Sequence, residues 1–317
     1  MGAPRISVII VTDRYSTIRR VLASLRSQTA KDEMEVVLVM PAGIREDDDV
    51  VALEGEFAAL RMVEIPTVHP MPHARAVGIR AATAPIVFLG ETHSFPQPEF
   101  VEAILEAHAG DCDIVVPGMS NANPENALSW GAFLSDYGGW LDALPAGETG
   151  GGPTWNVAYR KSLLNDLDEG LELAMEHGDE MGERLRSRKI RFVFQPRARL
   201  PHANVSITKW WLEQRYLCGL LVGNARRNRW GIGRRLVYVA ASPVIPLLAM
   251  YRLRNALGAL RANRQLGVKI VASLFAGAVV RTAGEVVGYV RGAHAGAQER
   301  MDQYELHKLE FTRMSRA

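Results

Sequence analysis

Glu91 and His93 stand one residue apart where an apolar run, Pro85 to Leu89 in PIVFLGETHSFP, breaks off. They put a carboxylate oxygen and an imidazole nitrogen side by side just after what reads as a buried strand. In open α/β sheets, ligands bind beyond the carboxyl ends of strands, near a change in strand order. Thr12, Asp13 and Arg14 come after another β-type run, ISVIIVT, and fall on that edge by the same logic. The chain's two cysteines, Cys112 and Cys218, are too few and too far apart for a disulfide framework or a zinc site, which points to a reducing compartment. Cys112 reads as a buried, inert thiol before a nucleophile.

The elements that must carry these residues can be read from periodicity. ISVIIVT and MEVVLVM are short, continuous, β-branched runs of the kind buried on both faces. Between them Ile18, Val21, Leu22 and Leu25 recur at helical spacing, with Ser16 or Thr17 placed to cap. The alternation continues through strand LRMVEIP, helix ARAVGIRAA, strand PIVFLG, helix PEFVEAILEAH and strand CDIVVPG. That order predicts an α/β domain with a largely parallel central sheet. Beyond residue 120 the pattern is irregular: GETGGGPTWNVAYRKSLL reads as a glycine-rich loop entering a helix. A charged helix is expected at 172–188 and a strand at IRFVFQP, with helix after Trp210 and Trp211. That tryptophan pair suits helix packing or a membrane-interface belt.

With 317 residues, 48% apolar and 23% charged, the chain can bury a large core. Its net charge of +2 hides a polarity: residues 219–317 carry 16 Lys and Arg against 5 Asp and Glu, and the preceding residues 21 against 30. A basic tail can meet nucleic acid, but the apolar segments inside this one make an anionic membrane surface the better partner. LVYVAASPVIPLLAMY (236–251) lies between Arg235 and Arg252 and is interrupted by Pro243 and Pro246; IVASLFAGAVV (270–280) lies between Lys269 and Arg281. A bilayer span takes about 20 apolar residues, so both read as interfacial or re-entrant helices, ahead of soluble packing and then of true spans. The opening MGAPRISVIIVT predicts no signal peptide, and Ile6 breaks the myristoylation pattern. Neither a G-x-G-x-x-G after the first strand nor a G-x-x-x-x-G-K-[ST] is present, which weakens dinucleotide and P-loop readings.

The order ISVIIVT, SLRSQ, EVVLV, ARAVGIRAATAPIVFLGETHSFPQPEFVEAIL, then GGPTWNVAYRKSLL, GDEMGERLRSRKIRFVFQPRARLPH and RTAGEVVGYVRG resembles a family 2 glycosyltransferase of the GT-A fold. The resemblance covers nearly the whole chain and rests on the order of segments. It implies a GT-A domain over 1–218, succeeded by a helical, basic and apolar, membrane-associated region over 219–317. In that family the PIVFLG strand ends in Asp-x-Asp, which holds a divalent ion against the diphosphate of a nucleotide-sugar; Glu-x-His here resembles a variant of it. Glu91 with His93, closed by His202, is then the expected metal set, with Mn²⁺ suited better than Mg²⁺ by the nitrogen donors. The bland alternative is a set of polar loop ends.

Other roles come from the same resemblance. Thr12, Asp13 and Arg14 match the base- and ribose-binding segment, and Arg75 a position near the nucleotide, where its alternative is a surface helix arginine. Trp155 and Asn156 match the segment facing donor sugar and acceptor; Trp155 could equally be core. The catalytic base is expected just before the helix leading to RL, but strict counting from Arg184 lands on His177 and Gly178. Asp179, then Glu176, are the nearest carboxylates for it; an exposed helix with a Glu180–Arg184 pair is the alternative. A second departure is Met40-Pro41, where relatives carry an aspartate that touches the base.

The expected activity is metal-assisted transfer of a sugar from a nucleotide-diphospho-sugar to a lipid-linked or polysaccharide acceptor at the cytoplasmic membrane face, with inversion as in the family. The competing class is a non-catalytic GT-A-like nucleotide-binding or scaffold protein of a membrane assembly. A nucleotidyltransferase is third, because TDRYSTIRR lacks the glycine-rich loop it needs.

Overall fold

The structure, a computed structural model, describes residues 2–44, 52–167, 170–176, 181–182 and 189–314. The chain divides into two compact units, residues 1–120 with 145–201 and residues 121–144 with 202–317.

The first unit is built on the sheet of β1 (Ile6–Val11), β2 (Met34–Pro41), β3 (Ala59–Ile65), β4 (Ile86–Leu89), β5 (Ile114–Asn121), β6 (Gly147–Thr149), β7 (Ala158–Arg160) and β8 (Phe192–His202). Their order is β3-β2-β1-β4-β7-β5-β8-β6. β1 pairs in parallel with β2 and β4, and β2 with β3. Helices α1 (Tyr15–Arg26), α2 (Met71–Ala81) and α3 (Phe100–Ala109) make the crossovers. These are the strands and helices expected from periodicity, and the fold is the GT-A-like α/β architecture that the order of segments implied.

A polar device locks the middle of the sheet. Glu35 lies opposite Ser7 in the parallel register and is fully buried. Its carboxylate accepts from Ser7 Oγ (2.5 Å), the Thr83 N–H (2.8 Å) and Arg61 Nε (3.1 Å), while Ser7 Oγ accepts the Ala84 N–H (3.1 Å). Burial alone would raise this carboxyl, but those hydrogen bonds outweigh it and hold it below the usual range. The chain entering β4 is thereby tied to β1 and β2.

Three local expectations are corrected. Helix α1 starts at Tyr15 with Arg14 as N-cap, so neither Ser16 nor Thr17 caps it; Thr17 Oγ instead bonds the Arg14 carbonyl at 2.8 Å. The glycine-rich segment is more than a loop, since it contains β6 and β7, and the latter runs antiparallel between β4 and β5. The strand expected at IRFVFQP continues to His202. Two short helices, α5 (Lys161–Asn165) and α6 (Leu171–Glu176), complete the described part of this unit; the charged helix foreseen at 172–188 lies largely outside the described residues.

The second unit is helical: α4 (Ala127–Tyr137), α7 (Thr208–Arg229), α8 (Ile232–Ala241), α9 (Ile245–Arg252), α10 (Arg254–Ala262), α11 (Val268–Arg291) and α12 (Ala297–Leu306). Trp211, Leu217, Leu220, Met301 and Tyr304 form its core, and Trp210 packs against it with its ring 5.6 Å from that of Phe311. The Trp pair is therefore helix packing. Helices α7 and α11 cross where Gly219 and Gly223 meet Gly284 and Gly288; a Cβ on Gly284 would lie 2.1 Å from the Tyr216 carbonyl oxygen. Two G-x-x-x-G spacings, GLLVG and GEVVG, supply the smooth surfaces this approach requires. Arg215, buried to 1%, forks onto Asp136 through bonds of 2.8 and 2.7 Å.

By length and composition, 232–252 and 268–291 are each long and apolar enough to cross a bilayer. Helix α11 is packed against α7 and α4 on one side and exposes Phe275, Val279 and Val290 on the other.

Candidate functional site

The edge at the carboxyl ends of β1 and β4 collects most of the residues singled out in the sequence. β1 and β4 are adjacent and parallel, with Ile9 opposite Leu89, and the Gly90 N–H donates to the Ile9 carbonyl at 2.9 Å. The residues after each strand therefore emerge on one side of the sheet: Thr12 to Arg14 beyond β1, Glu91 to His93 beyond β4.

Asn156 arrives from the opposite direction. β7 is antiparallel to β4 with Phe88 opposite Ala158, which places Asn156 just beyond the end of β4. Its N–H donates to the Leu89 carbonyl (2.8 Å), and its side-chain Nδ2 donates to Glu91 Oε2 (2.6 Å). To do so it adopts a left-handed backbone, φ 57°, a conformation that asparagine tolerates better than most residues. The three-residue strand β7 is thus what delivers the carboxamide to the carboxylate.

Glu91 is 5% exposed and His93 is fully buried. His93 Nε2 lies 3.2 Å from Glu91 Oε2, and its Nδ1 3.2 Å from Thr92 Oγ. His202, at the end of β8, is also buried, and ligand atoms of Glu91, His93 and His202 all lie within 4.8 Å of one another. Metal–ligand bonds of about 2.1 Å put ligands up to about 4 Å apart, so one ion would draw the set inward by less than about 1 Å. One hard oxygen and two imidazole nitrogens, all buried, fit a first-row divalent ion better than Mg²⁺ or Ca²⁺, which prefer oxygen alone.

The tautomer of His202 is legible from its neighbours. Its Nδ1 lies 2.9 Å from Asn204 Oδ1. The Asn204 Nδ2 is already committed as donor to Asn121 Oδ1 (3.0 Å) and the His202 carbonyl (2.8 Å), so the atom facing the ring is the carbonyl oxygen. His202 Nδ1 must therefore carry the proton, which leaves Nε2 as the ring's lone-pair donor. Asn123 braces Asn204 in turn, accepting its N–H (2.9 Å) and donating to its carbonyl (2.8 Å), and Ser129 Oγ donates to Asn123 Oδ1 (2.6 Å). Such partners orient a ligating histidine and raise its basicity. Sequence reasoning missed this amide network, although an asparagine two residues beyond His202 was a readable signal.

The remaining site residues divide. Thr12 is buried, and its hydroxyl is spent on the turn into α1, meeting the Arg14 carbonyl and Thr17 Oγ, each at 2.7 Å. Asp13 and Arg14 stay partly exposed, paired at 3.5 Å. Arg75 is no surface arginine: it is buried, its guanidinium carbon 3.6 Å from the centre of the half-buried Trp155 ring. Trp155 is accordingly not plain core. Glu176 is the last residue of α6, and Asp179 lies outside the described residues, as does the Glu180–Arg184 pair. Cys112 is buried, and burial raises its thiol above the ordinary range, against a nucleophilic role.

No family model and no curated protein matches this chain. Solved structures do. The mannosyltransferase PcManGT from Pyrobaculum calidifontis, solved with GDP-Man and Mn²⁺, shares 18% identity over 97% of this chain and 88% of its own, with a TM-score of 0.51. S. aureus TarS 1–349 in complex with UDP shares 17% identity over 95% of this chain and 91% of its own, at a TM-score of 0.49. GalNAc-T7, solved with UDP, GalNAc and Mn²⁺, covers 63% of this chain and 43% of its own at 14% identity, with a TM-score of 0.45. At these identities the likeness is one of fold, and it is the first of the three that carries it.

Proposed function

We propose that this chain is a glycosyltransferase of the family 2 type, transferring a sugar from a nucleotide-diphospho-sugar to a lipid-linked or polysaccharide acceptor at the cytoplasmic face of the membrane. The observation that carries the reading is the buried trio Glu91, His93 and His202 at the carboxyl edge of a GT-A-like sheet. These three side chains would hold a divalent ion, Mn²⁺ before Mg²⁺. When bound, it supplies positive charge against the diphosphate leaving group. The mannosyltransferase of like fold was solved with GDP-Man and Mn²⁺, which supports this class of donor.

The chain's own residues do the rest. Asn156 fixes the Glu91 carboxylate, and Asn204 fixes the ring of His202. Asp13 and Arg14, partly exposed beyond β1, take the base and ribose, with Thr12 shaping their turn. Arg75, stacked on Trp155, brings a permanent cation toward the phosphates, and the indole offers an apolar face for a sugar. A carboxylate, Asp179 before Glu176, takes the acceptor hydroxyl proton as that oxygen attacks the anomeric carbon and the bond to the diphosphate oxygen breaks, inverting the centre.

Met40-Pro41 at the end of β2 supplies no carboxylate for the base and favours, as second reading, a non-catalytic nucleotide-binding or scaffold protein of a membrane assembly. Calorimetric titration of UDP, GDP and their sugar conjugates, with and without Mn²⁺, into wild type and Glu91→Ala tests the first reading. Metal-dependent binding of one nucleotide, lost in the variant, is expected; turnover of the sugar conjugate then decides against the scaffold. Absence of nucleotide binding under all conditions removes the first reading and leaves the scaffold.

A further inference from the structure

The helical unit exposes a face that a soluble surface does not need. Along 232–252, the residues Tyr238, Val239, Ser242, Ile245, Pro246 and Ala249 recur at helical spacing, are partly or fully covered, and lie on the side of α8 and α9 that packs along α11. The opposite side is almost wholly apolar and open: Leu236 is 61%, Val244 61%, Leu247 59% and Tyr251 63% exposed. Phe275 and Val279, one turn apart on α11, are exposed as well. A contiguous apolar face along about 30 Å of helix exceeds what monomeric proteins ordinarily leave in water.

Charge identifies what covers it. Arg229 and Arg234 stand before this face and Arg252, Arg254, Arg261 and Lys269 after it, all exposed. Between Arg229 and Arg291 the sequence holds one carboxylate, Glu285, and that one is buried against Arg226 at 2.7 Å. The rings of Trp230 and Tyr238 lie 4.8 Å apart, tilted by 54°, beside Arg234, whose guanidinium sits 3.9 Å from the indole centre. Apolar side chains flanked by arginine and by Trp and Tyr match the layering of a bilayer interface. A second copy docked face to face would set the same arginines opposite one another.

We propose that the chain docks in plane on an anionic bilayer through the outer face of 232–252, with the exposed arginines on lipid phosphates. This deepens the membrane-face part of the proposed function and stands apart from its sugar chemistry. A segment packed lengthwise on α11, whose other side meets α7 and α4, is placed to lie along the surface and not to cross it.

The test is co-sedimentation of the full chain with vesicles of phosphatidylcholine alone or mixed with phosphatidylglycerol. Binding at least about tenfold tighter to the anionic vesicles is expected, since each basic residue near such a surface is worth about fivefold. Raising salt from about 0.1 to 0.5 M should release it, and Leu236→Asn with Leu247→Asn should weaken it by about tenfold or more. Equal binding to neutral vesicles, or no change in the double variant, overturns the proposal. So does a lipid-free dimer that the double variant dissolves, or resistance to alkaline extraction from membranes, which would mark a span. Circular dichroism of the double variant confirms its fold. Vesicle binding without any nucleotide binding would leave this proposal standing while removing the glycosyltransferase reading.

Discussion

Asn156 and Glu91 lie 65 residues apart in the chain and are joined by a hydrogen bond of 2.6 Å from Nδ2 to Oε2. One bond from a buried donor sets the rotamer of the carboxylate, and the donor itself sits on a left-handed backbone, φ 57°. The two contributions separate by substitution. Asn156→Gly keeps the backbone and removes the bond, whereas Asn156→Ala also strains it by a further 1 kcal/mol or so. We expect both to weaken Mn²⁺ binding about tenfold by calorimetry, with the alanine variant about 1 kcal/mol less stable than the glycine variant in urea.

His202 and Asn204 make a second pair of this kind. Because the amide of Asn204 is oriented by Asn121 and the His202 carbonyl, its Oδ1 selects the Nδ1–H form of the ring. Asn204→Asp retains an acceptor for that proton and should hold Mn²⁺ affinity within about threefold; Asn204→Leu should lose about 10- to 100-fold. A merely structural role would lower the melting temperature of both variants and leave their metal affinities alike.

Acid stability offers a test remote from the site. Burial first, then the charge of Arg160, pushes the His108 imidazole down to about 4. The native state thus favours the neutral ring, while the unfolded ring titrates near 6.5. The associated stability is complete above about pH 6.5 and is lost as pH falls from there toward 4, because the unfolded chain binds the extra proton. Between pH 7.5 and 5 this amounts to about 2 kcal/mol. The stabilisation from the buried Glu35, held low, is intact above its ordinary range near 4.5 and is lost only below it, outside this window. Urea unfolding at the two pH values should show the loss in wild type and a much flatter response in His108→Gln.

How much of this was legible depended on where the stabilising partners lie. β1, β2 and β4 announce themselves because strands buried on both faces must be continuous apolar runs, and Glu91 and His93 were readable as the polar residues at the end of such a run. β6 and β7 have three residues each and no pattern of their own; β7 exists because β4 and β5 pair with it on either side. For that reason the hydrogen bond from Asn156 to Glu91 was not legible in the sequence. Arg75 shows the same limit, since a helix arginine reads as surface until a tryptophan 80 residues later is laid across it. The chain's polarity of charge was visible in composition, but the apolar face between the arginines needed the packing of α8 and α9 to say which side stays open.

The crossing of α7 and α11 was not foreseen, and it yields the sharpest stability contrast. A Cβ on Gly223 would lie 2.3 Å from the Glu285 carbonyl oxygen, and one on Gly284 2.1 Å from that of Tyr216. Both obstacles are backbone, so the helices must part to admit a methyl group, and close packing around Trp211 and Leu220 resists it. Gly258 sits inside α10 with nothing within 4 Å of its Cβ position. Replacing a helical glycine by alanine in open space gains about 0.5–1 kcal/mol. The same substitution should therefore change sign with position: Gly258→Ala stabilising by that amount, Gly223→Ala and Gly284→Ala destabilising by about 2 kcal/mol or more. Chemical denaturation of the three variants measures it. Equal, small effects at all three would mean that α7 and α11 do not approach as closely as the glycines require.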